Sequence, residues 1–166
     1  MSEFLPTIIL RHIKENLKKC SLTGLEKKAG FDFYTYPKQI PQKTANYVVL
    51  SMEGDLLSEK ESPMGLYLID ATWSHAERMN KMVPEHLPRR SLPPHFRTAY
   101  PRRQTGCSDA ERGLASIEAL YIAYFLTKRP LKGLLDHYHF KDEFLRLNLG
   151  YFGNDLNDHF DSNKGQ

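Results

Sequence analysis

The stretch from Gly65 to Met79 constrains the fold more than any other part of this chain. Leu66-Tyr67-Leu68-Ile69 is apolar on both faces of an extended backbone, as in a central strand of a parallel sheet. The run stops at Asp70, and helical spacing begins at Trp73, the one tryptophan of the chain, with Ala76, Met79 and Met82 on the same face. Ser74 and Glu77 have the Ser-x-x-Glu spacing of a capping box, and Pro84 ends the helix. In open α/β sheets ligands sit outside the carboxyl ends of strands, so strand–Asp–turn–Trp–helix forms one wall of a candidate small-molecule site. The competing reading makes Trp73 a hydrophobic staple and Asp70 a turn former.

Around this unit, Pro6 to Leu10 reads as a first strand, Leu25 to Ala29 as a short helical turn, and Phe31 to Tyr36 as a strand. Tyr47 to Leu50 is a further strand running into Ser51, followed by a polar loop from Leu57 to Pro63. Leu87 to Pro94 reads as an irregular connection, and His95 to Ala99 as a short strand. A long apolar helix is expected from Leu114 to about Lys128, with shorter ones over Leu131 to Tyr138 and Lys141 to Leu149. Strands crowd the first half and helices the second. The pattern predicts an α/β fold, with a small amino-terminal lobe over residues 1–45 and the main domain over residues 46–166.

At 166 residues, 40% hydrophobic and 26% charged, the chain suits one ordinary globular domain or one domain plus a small lobe. The net charge of +3 is mild, but the bases cluster: Lys14, Lys18, Lys19, Lys27 and Lys28 near the start, then Arg89, Arg90, Arg97, Arg102 and Arg103. Such clustering fits one polyanion-facing side; two solvated faces are the plainer alternative. Cys20 and Cys107 stand far apart, with no CxxC and no zinc-finger spacing, so no metal is expected and a reducing, cytoplasmic setting is. The start lacks a signal-peptide pattern, and no run approaches the ~18 apolar residues of a membrane helix. No membrane partner is expected.

Several motifs then line up in one order. They are Lys19-Cys20-Ser21 with Gly24-Leu25, Val49-Leu50-Ser51, Leu57-Ser58, Ile69-Asp70-Ala71-Thr72-Trp73 and Arg90-Ser91-Leu92-Pro93. Ala99-Tyr100-Pro101, Leu114-Ala115-Ser116-Ile117-Glu118-Ala119 and Phe140 to Asn148 follow. Over residues 6 to 150 this resembles the ribosomal RNA aminocarboxypropyltransferases and, more distantly, the DTW-domain tRNA-uridine aminocarboxypropyltransferases. The chain departs from the family pattern in having Ala71-Thr72 where Cys-Ser is usual, Thr98-Ala99-Tyr100-Pro101 where Ala-Ala-Asn-Pro is usual, and then Arg102-Arg103 in place of an Asn-Tyr-Gly turn.

The resemblance implies a SPOUT-like fold: a mostly parallel sheet whose carboxyl-terminal part is threaded as a trefoil knot. It implies S-adenosylmethionine as cofactor and transfer of its 3-amino-3-carboxypropyl arm to a uridine or pseudouridine nitrogen in RNA, small-subunit ribosomal RNA by preference. Trp73 and Ala76 would enclose the methyl group, Leu50 and Ile69 flank the adenosine, and Tyr100 and Leu114 read the adenine edge. Ser21, with Ala115 or Ser116, would hold the amino-acid arm. Asp70 would orient or deprotonate the acceptor, or hold its turn. A cap role suits Glu118, the solvent side suits His75, and structural roles suit His137 and His139. Arg11, Lys14, Lys18, Lys19, Lys27, Lys28, Arg89, Arg90, Arg102 and Arg103 would meet RNA phosphates, and Tyr100 would stack on a splayed base. The lobe would contact RNA, no DNA is expected, and a monomer is. A tRNA-uridine transferase, a SPOUT-type RNA methyltransferase and a non-catalytic ribosome-assembly or RNA-binding factor stay open as alternatives.

Overall fold

A computed structural model of the chain describes residues 4–101 and 113–153. Its frame is a five-stranded parallel sheet built from β1 (Thr7–His12), β2 (Phe31–Tyr36), β3 (Tyr47–Leu56), β4 (Gly65–Asp70) and β5 (Arg89–Ser91). The order across the sheet is β2-β1-β4-β3-β5, so the first strand lies inside it, paired with β2 on one side and β4 on the other. Helix α1 (Trp73–Met82) follows β4, and α2 (Ser116–Leu126), α3 (Lys141–Leu147) and α4 (Leu149–Phe152) are the last elements among the described residues.

Alternation along the strands divides two cores. Ile9, Val48, Leu50, Leu66 and Leu68 face α2 and the carboxyl-terminal helices, in one cluster with Ile117, Leu120, Tyr121, Phe144 and Phe152. Ile8, Leu10, Val49 and Tyr67 face the other way and pack with Met79, Val83 and Leu87. Burial on both faces is what the unbroken apolar runs of β1 and β4 require. Helix α2 is buried nearly all round, as its composition predicts. No helix among the described residues is long and apolar enough to cross a membrane.

Four local expectations are corrected. Helix α1 starts one residue before Ser74, with Thr72 as its cap and no side-chain cap bond; a full box is made by Ser58 with Glu61 in the loop before β4, and at α2 Glu118 makes half of one on the Ala115 amide. Leu87–Pro94 contains β5, which pairs with β3 at Leu50 and again at Asp55, because β3 bulges between them. Gly54, at φ 96°, lies in that bulge, where a Cβ would collide with the Arg89 backbone.

Residues 95–99 form no strand, since their backbone is bound by side chains: Asn148 bonds both the N–H and the carbonyl of Arg97, and Glu118 bonds the N–H of Ala99. Residues 131–138 form successive turns, not a helix, because Gly133 sits at φ 78° and its neighbours bond three residues back.

Candidate active site at the carboxyl edge of the sheet

The chain leaves β1 toward β2 on one side and leaves β4 toward β5 on the other, so the neighbours β1 and β4 mark the topological switch point. A crevice outside the carboxyl ends is expected there. The residues at that spot are Arg11 and Asp70, which are register partners facing the α2 side. Asp70 is 3% exposed. Its Oδ2 accepts from Arg11 Nε at 3.1 Å and from Cys20 Sγ at 3.2 Å, and its Oδ1 accepts from Ser116 Oγ at 2.8 Å. One carboxylate thus ties β1, β4, the loop after β1 and the first residue of α2.

The other half of the guanidinium reaches Glu26 Oε1 at 2.9 Å, and the plane lies 4.8 Å over the Phe33 ring. Burial lowers the basicity of Arg11, but Cys20, Glu26 and Asp70 together raise it above its ordinary value. Burial first, then the charge of Asp70, pushes the Cys20 thiol up to about 12, so it stands here as a hydrogen-bond donor. Glu15 is raised for the same two reasons, with Arg11 opposing. Ligand atoms of Glu15, Cys20 and Asp70 lie within 4.8 Å of one another. A protonated thiol and a carboxylate already carrying a guanidinium make a poor cation cage.

Ser21 Oγ accepts from the Ile117 amide at 3.1 Å, which satisfies one of the orphan donors of the first turn of α2. Behind it, Glu118 is fully buried with four donors on its two oxygens: Thr98 Oγ1 at 2.6 Å, the amides of Ala115 and Ala99 at 2.8 Å each, and Tyr138 OH at 3.0 Å. This cluster carries Tyr100 to the site edge, where its hydroxyl donates to the Lys19 carbonyl at 3.2 Å.

The expected site residues therefore divide. Ser21, Asp70 and Ser116 converge directly, while Leu50, Tyr100, Leu114 and Ala115 belong to the core on the same side. Ile69 faces the opposite core, and Ala76 lies one helical turn before Met79 on that side. Leu50 and Ile69 thus point to different faces of the sheet. The side chain of Trp73 lies outside what the structure describes, as do Arg102 and Arg103. His75 stacks on His12 with ring centroids 3.9 Å apart, so it is not a plain solvent-side residue.

Among the basic candidates, Lys14, Lys18, Lys19, Lys27 and Lys28 are exposed. Arg11 is buried at the heart of the site. Arg89 holds Asn80 at the carbonyl and side-chain oxygens, and Arg90 pairs with the buried Glu61 at 2.8 Å. Sequence reasoning passes over Glu15, Cys20 and Glu26 as site residues. The Lys19-Cys20-Ser21 motif is a signal for one of them; the others follow only from three-dimensional placement.

No family model and no curated protein matches this chain. Among solved structures it is similar to the SAM-dependent rRNA:acp-transferase Tsr3 from Vulcanisaeta distributa. The match covers 91% of this chain and 83% of that one, with a TM-score of 0.66 and 19% sequence identity. The two chains share a fold.

Proposed function

We propose that this protein transfers the 3-amino-3-carboxypropyl group of S-adenosylmethionine to a uridine or pseudouridine base in RNA, with small-subunit ribosomal RNA as the preferred substrate. The reading is supported by the shared fold and by one feature of the site: Ser21, Ser116 and Asp70 meet at the switch point, where a small ligand is expected. It includes the knotted threading of the carboxyl-terminal part, an amino-terminal region that touches RNA, and a monomer working in the cytoplasm.

The donor supplies an electrophilic carbon beside its sulfonium, and its arm passes to the base nitrogen with methylthioadenosine as the leaving group. The residues here suit such a molecule. Ser21 Oγ accepts from an amide and keeps its own proton to donate to the donor's carboxylate. Ser116 donates to Asp70 and keeps lone pairs for the donor's ammonium group. Leu50, Leu114 and Ala115 give the adenosine an apolar seat, and Tyr100 reads its edge or stacks on the acceptor base. Trp73 and Ala76, which follow β4 at the same carboxyl edge, enclose the methyl group.

Asp70, with both oxygens occupied, orients Ser116 and Arg11 and thereby the reacting groups. Glu15, within 4.8 Å of the Cys20 and Asp70 ligand atoms and raised in basicity by burial and then by Asp70, takes the proton from the base nitrogen. Lys14, Lys18, Lys19 and Lys27 follow RNA phosphates, joined by Arg102 and Arg103.

Incubating the protein with S-adenosylmethionine and cellular RNA tests the reading. Release of methylthioadenosine supports it; S-adenosylhomocysteine would mark a methyltransferase, and neither product a non-catalytic RNA-binding factor. Trp73→Ala is expected to abolish donor binding, and unchanged affinity would remove that residue from the pocket.

A further inference from the structure

Among the described residues, a buried charge without an ion-pair partner lies at the other edge of the sheet. Arg129 follows α2 and reaches the amino-terminal ends of the strands, where Nη2 donates to the carbonyl of Met64, just ahead of β4. The residue is 4% exposed, and its Nε and Nη1 are buried without a hydrogen-bond partner among the described residues. Buried polar groups nearly always have partners, and an unsatisfied cation away from water is the most costly exception.

A cavity of about 390 Å³ opens beside this guanidinium, lined by Phe4, Phe31, Tyr124, Lys28 and Lys132 among others. Three cations face it, and no acid is among the described residues that line it. Lys28 Nζ donates to the Lys132 carbonyl at 3.3 Å, which holds its ammonium on the wall. Phe31 and Tyr124 have parallel rings with centroids 6.1 Å apart, and the Phe4 ring lies 4.7 Å over the guanidinium. That is the position a ligand's flat ring would occupy over a cation. The cavity shares none of its lining residues with the carboxyl-edge site.

We infer that this cavity binds a phosphorylated nucleotide, its phosphate met by Arg129, Lys28 and Lys132 and its base laid on the aromatic wall. The volume is in the range of small-ligand sites. Arginine suits the phosphate because its N–H groups present a planar, permanently charged set of donors. The nucleotide is either free or the end of an RNA strand; both carry the same phosphomonoester.

The test is calorimetric titration of the full chain with uridine 5′-monophosphate, with inorganic phosphate, and with short oligouridines bearing or lacking a 5′-phosphate. One mononucleotide per chain is expected, bound at least tenfold more tightly than inorganic phosphate. The Lys28→Ala/Lys132→Ala double variant should weaken it tenfold or more and leave S-adenosylmethionine affinity unchanged. A phosphorylated oligonucleotide that competes assigns the site to RNA ends, and one that does not assigns it to free nucleotide.

Arg129→Lys should abolish binding, and if that variant does not fold, the exposed lysine pair decides. Three results would overturn the inference. They are no binding of mononucleotide or phosphorylated oligonucleotide at millimolar concentration by cooperatively melting protein, binding unaffected in the double variant, or a Glu3→Gln melting loss as large as that of Arg129→Met. The last would identify the missing partner as the chain's own carboxylate. Failure of the transferase assay leaves each of these readouts intact.

Discussion

Replacing Glu118 by glutamine removes a charge and changes almost no volume, which makes it a clean probe of the cluster behind the site. The carboxylate serves two donors on each oxygen: Thr98 Oγ1 and the Ala115 amide on one, the Ala99 amide and Tyr138 OH on the other. A glutamine must present its NH2 to one of these pairs. The hydroxyl of the pair can turn and accept, but the backbone N–H cannot, so either orientation strands one buried amide. A stranded buried donor costs about 1–3 kcal/mol, and the surviving bonds lose charge assistance worth roughly another kcal/mol. We expect a total near 3 kcal/mol, a large share of the 5–15 kcal/mol typical of a domain. For a chain of this size that lowers the melting temperature by about 6–12 °C. Calorimetry measures the loss, and hydrogen exchange at Ala99 and Ala115 locates it, since one of the two amides must lose protection. A loss below about 1 kcal/mol, with both amides still protected, would refute the accounting. Because the cluster carries residues 98–100 to the site edge, donor affinity should fall in the same variant.

Other consequences are open to direct measurement. With its thiol pushed up to about 12, Cys20 should alkylate at pH 8 on the order of a hundredfold or more slowly than an unperturbed thiol. Mass spectrometry in a Cys107→Ser background reads this, and Asp70→Asn should speed the reaction. For Glu61, burial raises the carboxyl, but bonds from Arg90 and Ser58 win and hold it below its ordinary 4.5. Its stabilisation is therefore full above pH 4.5 and is lost as pH falls through the depressed value. The stability gap between wild type and Glu61→Gln should be flat from pH 6 to 8 and shrink below 4.5; a flat gap down to pH 3 would contradict the pairing. At Gly65 an added Cβ would stand 2.6 Å from Tyr47 Cδ1, against a ring that is buried and bonded to the Pro6 carbonyl. Gly65→Ala should therefore cost about 1–3 kcal/mol in denaturant unfolding.

The strands with apolar runs of their own are legible in the residue order: Phe31–Tyr36 lies where its bounding glycine and proline put it, and β4 differs by one residue at each end. What escapes such reading is structure imposed from a distance. Arg89–Ser91 has two arginines and prolines on either side, and it is a strand only because the edge of β3 offers it partners. Residues 95–99 have strand-like composition, but Glu118 and Asn148 satisfy their backbone first. Leu131, Leu134, Leu135 and Tyr138 keep helical spacing, and one glycine with positive φ outweighs it. The same holds at the site. Asp70 is visible as the acid ending a strand, and Ser116 through the family resemblance. That they meet, 46 residues apart, is a property of α2 lying across the sheet. Arg11 reads as a phosphate ligand because it opens a basic run, yet its register with Asp70 turns it inward.

That inward turn gives the site a charge layout with two levels. At its floor, Arg11 lies between Asp70 and Glu26, and Cys20 beside them stays a neutral thiol, so these three ionised groups leave one negative charge, to which the Glu15 carboxylate adds when it acts as the base. Around it, Lys14, Lys18 and Lys19 stand exposed on the loop that supplies Cys20 and Ser21. A negative floor suits a ligand whose reacting end carries a sulfonium and an ammonium, whereas a basic rim suits a polyanion that stays outside. A site built only to grip RNA would have no use for a buried carboxylate at its centre. A site built only for the small molecule would not need lysines along its lip. Finding both on one loop and two strand ends favours a reaction between the two partners over binding of either alone.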